Sequence, residues 1–110
     1  MSKQLSSAMK EALMIIFMYE GELIEMETQR SHEWRVPGLK ETSITLLSGR
    51  IIRTSINIKT LKALWKRGLS IQKGRRWSLL TPRLTKKGLY RIRQWPEYGE
   101  LLALRTLEDL

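Results

Sequence analysis

The sequence predicts a small α+β fold, mainly helical, and three patterns in its 110 residues carry that prediction. Leu5, Met9, Ala12, Leu13, Ile16 and Phe17 recur at helical spacing and form an apolar stripe. Ile58, Leu61, Leu64 and Trp65 repeat the pattern, with Lys59, Lys62, Lys66 and Arg67 on the remaining faces. Leu69-Ser70-Ile71-Gln72 and Trp77-Ser78-Leu79-Leu80 are rich in strand formers and flank the connector Lys73-Gly74-Arg75-Arg76, which reads as a hairpin. The length suits one domain of roughly 100–150 residues. Residues 1–96 are expected to form it, with 97–110 as an amphipathic C-terminal helix.

Taken in order, the first helix is expected over 7–20, capped by Ser6 or Ser7 and ended by Gly21. Glu22 to Thr28 alternates loosely and predicts a strand, onto which Trp34-Arg35-Val36 can pair back before the turn signal Pro37-Gly38. In the next stretch Thr42, Ile44, Thr45, Ile51 and Ile52 favour β-structure, whereas the spacing of Ile44, Leu46 and Leu47 suits a short helix. Weighting the spacing predicts a helix over 41–48. Thr54 or Ser55 then caps a helix over 55–67 that Gly68 stops, with Lys66 and Arg67 complementing its dipole. Thr81-Pro82 predicts an edge position or a bend, because proline removes a ladder donor. Thr85 caps a helix running to about Gln94, Pro96 breaks it, and Leu101, Leu102, Leu104, Leu107 and Leu110 line the last segment. That segment, too short to hold alone, is expected to fold back on the first helix or to pair with a second copy. Trp65, Trp77 and Trp95 fall on apolar faces and are expected in the core.

Charge divides the chain more sharply than composition does. The formal net charge is +9, yet residues 1–33 sum to −3, residues 34–96 to +15 with Glu41 as the sole acid, and residues 97–110 to −3. A block this one-sided repels itself unless a polyanion or a broad exposed face relieves it, and nucleic acid is the expected partner.

The run Thr60-Leu61-Lys62-Ala63-Leu64-Trp65-Lys66-Arg67-Gly68-Leu69, followed by Arg75-Arg76-Trp77 and Leu84-Thr85-Lys86-Lys87-Gly88, resembles the winged helix-turn-helix family of small bacterial and phage transcriptional regulators. The resemblance covers Ser55 to Leu89. It implies a three-helix core with a β-hairpin wing at 71–80 and a recognition helix at 55–67. It also implies double-stranded DNA as the partner, with bound protein blocking or recruiting polymerase. Two departures stand out: Glu41 to Ser48 is an unusual opening for the motif, and Leu80-Thr81-Pro82-Arg83 is inserted after the wing. Gly68 suits a sharp exit from the helix and Gly88 suits close packing, so these are structural duties and function rests on the outward side chains.

Asn57, Lys59, Thr60, Lys62 and Lys66 are expected on the solvent face of the 55–67 helix. Asn and Lys present donors that match adenine and guanine edges in the major groove, and Asn57 lies at the end that enters it. Lys73, Arg75 and Arg76 are expected at the hairpin tip, where arginine can track phosphate or enter a narrow minor groove. Arg53, Ser55, Lys86 and Lys87 are expected phosphate contacts near helix N-termini. Each lysine also has a plain reading as a solvated surface charge.

Other classes find little support. With no Cys and one His, His32, thiolate chemistry and zinc have no ligand set. Glu20, Glu22, Glu25 and Glu27 read as a solvated acidic run rather than a cation site. No phosphate loop, nucleophile triad or carboxylate pair appears, so a non-enzyme without cofactor is expected. The longest apolar run, Ala12 to Met18, is far short of the ~20 residues of a membrane span, and a cytoplasmic, nucleoid-associated location is expected. A homodimer through the Leu-rich terminal helix would match a palindromic site. The rivals are a protein-interaction winged helix, such as a phage-encoded inhibitor of a host factor, and an RNA-binding module.

Overall fold

The structure is a computed structural model that describes residues 4–19, 24–27, 33–36, 39–76 and 79–108, with backbone alone for 24–27, 72–81 and 106–108. It opens with helix α1 (Ser7–Met18), whose N-terminus is capped by Ser6 Oγ accepting from the Met9 N–H at 3.2 Å. From Ala12 to Met18 every side chain of α1 is buried. The predicted stripe is therefore half of the truth: a helix apolar on all sides is a central helix, and α1 packs against two strands and the three later helices. It ends at Met18 with the Tyr19 N–H donating to Ile15 O, and Gly21, expected to stop it, lies outside the described residues.

Strands β1 (Ile24–Glu27) and β2 (Glu33–Arg35) pair antiparallel, Met26 opposite Trp34, as the pairing-back expectation holds. Trp34 is fully buried. The 41–48 helix is not there. Strands β3 (Ser43–Thr45) and β4 (Ile51–Arg53) form a separate hairpin with Ile44 opposite Ile52. The β-branched residues win because a period of two sends Ile52 inward and Ile51 outward, while Leu46 tucks into the core at the tip. Gly49, at φ 88°, takes the left-handed conformation that lets its N–H and that of Leu46 close the turn.

A two-residue strand, β5 (Ile56–Asn57), pairs with β2 and leads directly into helix α2 (Ile58–Lys66). The helix starts three residues later than expected because Ser55 and Ile56 precede or enter the sheet. Asn57 is the cap, its Oδ1 accepting from the Lys59 N–H at 2.8 Å. Thr54 is instead buried, its hydroxyl donating to Glu41 O at 2.7 Å. Leu61 and Leu64 are fully buried, and Gly68, at φ 71°, turns the chain out of α2 as predicted. Trp65 corrects the expected core: it lies at the margin of the buried face and is 52% exposed.

Strands β6 (Ser70–Arg76) and β7 (Leu79–Leu84) form the long hairpin. Lys73, Gly74, Arg75 and Arg76 belong to β6 rather than to its turn, with a bulge between Lys73 and Arg76 that brackets Gly74. An extra residue at a bulge is well served by glycine. Trp77 and Ser78, expected to open the second strand, lie outside the described residues, and so does the core role expected of Trp77. Pro82 sits opposite Gln72 on β7, an interior strand, so the edge position expected for Thr81-Pro82 is not found; among the described residues β7 pairs with β1 only through Leu79 and Leu80. The main sheet runs β5-β2-β1-β7-β6, leaving β6 on an edge, where Lys and Arg also discourage pairing with other chains.

Helix α3 (Lys86–Arg93) is capped by Thr85, whose Oγ1 accepts from the Gly88 N–H at 3.0 Å, as expected. Gly88 is buried against the backbone of Leu69, and any side chain at this position would collide with Leu69 O. Helix α4 (Tyr98–Glu108) folds back on α1. Leu101 is fully buried, Leu104 packs on the core, Leu102 is exposed, and Tyr98 meets Phe17 with ring centres 5.7 Å apart. The result is an α+β domain of four helices and short antiparallel sheets among the described residues. No helix among them is long and apolar enough to cross a membrane.

Candidate nucleic-acid interface

Helical geometry places Lys59, Lys62 and Lys66 on one face of α2, at steps of three and four, with Leu61 and Leu64 on the other. All three lysines are exposed. Residues 54–96 contain no Asp or Glu, so no carboxylate in this stretch can neutralise the row. Among the described residues no ion pair joins Lys59 or Lys66 to an acid.

At the end of α2 the surface passes to α3. Lys87 Nζ donates to Arg67 O at 3.0 Å, and the Thr85 hydroxyl donates to Gly68 O. These two bonds satisfy carbonyls at and just past the helix C-terminus, and with Gly88 against Leu69 they lock α3 to α2. Lys86, Lys87, Tyr90 and Arg93 then occupy the outward face of α3. Arg67 is exposed and also reaches back to Ala63 O at 3.4 Å.

The other predicted contacts separate from this row. Asn57 is exposed but its Oδ1 is engaged as the helix cap, so the amide N–H2 is the part left to face a partner. Thr60, half-buried, lines a cleft of about 130 Å3 with Ala8, Glu11, Ser55 and Asn57, which puts it on the flank facing α1 and away from the lysines. Arg53 stands at the mouth of the same cleft, its guanidinium 3.9 Å from Glu33. Glu33, Arg53 and Ser55 also border a larger cleft of about 270 Å3 below the β3–β4 hairpin, where Arg35, Lys40 and Glu41 add to a mixed lining. Lys73, Arg75 and Arg76 lie along edge strand β6, as backbone only.

Around α1 and the β3–β4 tip, by contrast, cations are matched by acids. Glu97 lies 3.5 Å from Lys10 and 3.6 Å from Arg50, and Arg50 lies 3.9 Å from Glu11. The Leu47 N–H donates to Glu100 Oε2 at 2.7 Å, tying the β3–β4 tip to α4. Lys10 also covers the ring of Trp95 at 5.0 Å, and Arg105 that of Phe17 at 5.0 Å.

Sequence reasoning passed over Tyr90 and Arg93. Their signal is the spacing of Lys86, Tyr90 and Arg93 at steps of four and three, which a helix N-terminus, marked by Lys86 and Lys87, does not include. No protein-family model, characterised protein or solved structure matches the chain.

Proposed function

We propose that this protein binds double-stranded DNA through the exposed face of α2 and acts as a small transcriptional regulator of the winged helix-turn-helix kind. In this reading α2 is the recognition helix and the β6–β7 hairpin is the wing. The observation that carries it is the row Lys59, Lys62 and Lys66, exposed on one helical face within 43 residues that hold 12 Lys and Arg and no acid. A helix of this width enters the major groove, and lysine ammonium groups that meet phosphate there gain by releasing the counterions that phosphate holds. In chain order the β3–β4 hairpin precedes α2 where the family has a helix, and α2 is supported by α1, β5 and β6.

Titrating the protein against duplex DNA over a range of salt tests this. If about six phosphates are contacted, log K falls against log salt with a slope of about −5. A flat response removes the proposal. Duplex RNA and single strands in the same titration separate the RNA-binding alternative.

One observation favours a second reading, a module that docks on another protein. Leu47 is 92% exposed at a hairpin tip held in place by Glu100, with Ile51 exposed beside it. Leu47→Ser leaves duplex binding intact if α2 carries the function. A homodimer through α4 has less behind it, because Leu101 and Leu104 are spent on the core; sedimentation at two concentrations decides.

A further inference from the structure

We infer that the outward face of α3 is a second contact for the phosphodiester backbone, continuing the strip that α2 begins, with Tyr90 at its centre and Lys86, Lys87 and Arg93 around it. This rests on the nucleic-acid reading of α2 and extends it to an element that carries no recognition role there.

A lone surface tyrosine needs no explanation. What distinguishes Tyr90 is its company and its rigidity. On α3 the buried face is Gly88 and Ile92, with Leu89 half-buried beside them, so the helix spends its apolar residues inward. Tyr90 nevertheless stands 67% exposed on the reverse face. Helical geometry sets Lys86 one turn before it, Arg93 nearly one turn after it, and Lys87 three residues before it. None of the three cations meets a carboxylate among the described residues. Three like charges around one ring repel each other in the free protein, and a polyanion removes that repulsion. The phenol supplies an O–H donor to a phosphate oxygen while its ring lies along the sugar, a backbone contact without sequence information.

Continuity with α2 follows from the junction. The bond from Lys87 Nζ to Arg67 O leaves two ammonium protons for a partner and holds the start of α3 against the end of α2. Gly88 against Leu69 O leaves no room for α3 to slide. A duplex seated along Lys59, Lys62 and Lys66 and leaving α2 at Arg67 therefore meets α3 next, in a fixed orientation.

The test uses the full chain and a fluorescent duplex, with affinity measured from low to moderate salt for the wild type, Lys86→Gln/Arg93→Gln, Tyr90→Phe, Tyr90→Ala and, as an α2 control, Lys59→Gln/Lys66→Gln. All these positions are exposed, and an unchanged thermal melt checks that each variant folds. Loss of two phosphate contacts is expected to make the salt slope shallower by about 1.8, roughly 0.9 for each. Tyr90→Phe is expected to weaken binding severalfold at the lowest salt, and Tyr90→Ala at least as much. If the α2 control weakens binding while the α3 double variant keeps the wild-type affinity and slope, the inference falls and the α2 reading stands. If wild-type binding to the duplex is absent or indifferent to salt, the α2 reading falls and takes the inference with it. If only Tyr90→Ala matters, and only on a single-stranded oligonucleotide, the face is a base-stacking platform and the backbone contact is overturned.

Discussion

Around the β3–β4 tip, Lys10, Glu11, Arg50 and Glu97 form a partly buried network that binds a hairpin to two helices; along α2 and α3, Lys59, Lys66, Lys86 and Arg93 project with no carboxylate for a partner among the described residues. The same chemical groups do opposite things in the two regions. In the first, each cation has a short-range acid and at most about a quarter of its side chain is exposed, so it contributes to the fold. In the second, the sequence supplies no acid from Thr54 to Pro96, and Lys59, Lys66, Lys86 and Arg93 make no ion pair among the described residues, so charge accumulates there. The net +9 is thus a local surplus laid on an internally balanced frame, and the frame is where mutations should cost stability.

The sharpest test of the frame is Leu101→Ala. Leu101 is fully buried where α4 meets α1, and removing it should destabilise by about 2–5 kcal/mol. Chemical denaturation at two protein concentrations checks it. A loss that depends on concentration would mean that α4 packs on a second copy instead. Gly88→Ala should follow at about 1–3 kcal/mol, since its methyl group meets the Leu69 backbone and the α2–α3 junction must open to admit it. Gly99→Ala, with open space at that position, serves as the control and should be within ~0.5 kcal/mol of wild type. Equal melting temperatures for the two variants would refute the tight junction. Asn57→Ala should cost about 1 kcal/mol through loss of the cap at α2, and Asn57→Asp should recover most of it while, on the proposed reading, weakening duplex binding, because the restored acceptor brings a negative charge to the start of α2. Paired melts and binding titrations separate the two roles. An Asn57→Asp protein that binds duplex as well as wild type would confine Asn57 to the cap.

What could be read from the chain follows from how local each cause is. Ser6 and Thr85 cap their helices with bonds spanning three residues, and Gly68 ends α2 by its own backbone conformation, so each was visible in a short window of sequence. The 41–48 segment was not. Its apolar spacing fits a helix, and the hairpin is chosen by Ile52 reaching the core and by Glu97 and Glu100 holding the tip, residues about fifty positions away. Strand β5 is two residues long, too short to leave a pattern, and its presence shifts the start of α2 to Ile58. Trp65 was misplaced because hydrophobicity assigns it inward while its angular position on α2 leaves it at the margin beside Lys62. The segregation of charge was legible in full, since it is a property of composition. The junction that carries it from α2 to α3 was not, because a lysine reaching a backbone carbonyl twenty residues away has no sequence signature.

The finest discrimination between the two regions comes from one substitution made in each. Lys10→Gln removes a cation that sits 3.5 Å from Glu97 and over the ring of Trp95, and it should lower stability by about 1 kcal/mol. Its effect on duplex binding should be small, because a charge in the frame already has its counterion. Lys66→Gln removes a cation with no ion pair among the described residues and should change stability by less than ~0.5 kcal/mol, most of that through the helix dipole. It should make the salt slope shallower by about 0.9, the signature of one released counterion. The pair is informative because size, polarity and charge change identically in both variants, so a difference between them reflects location alone. Should Lys10→Gln shift the salt slope as much as Lys66→Gln does, the polyanion would be sensing total charge, and the division into a balanced frame and an exposed strip would lose its functional meaning.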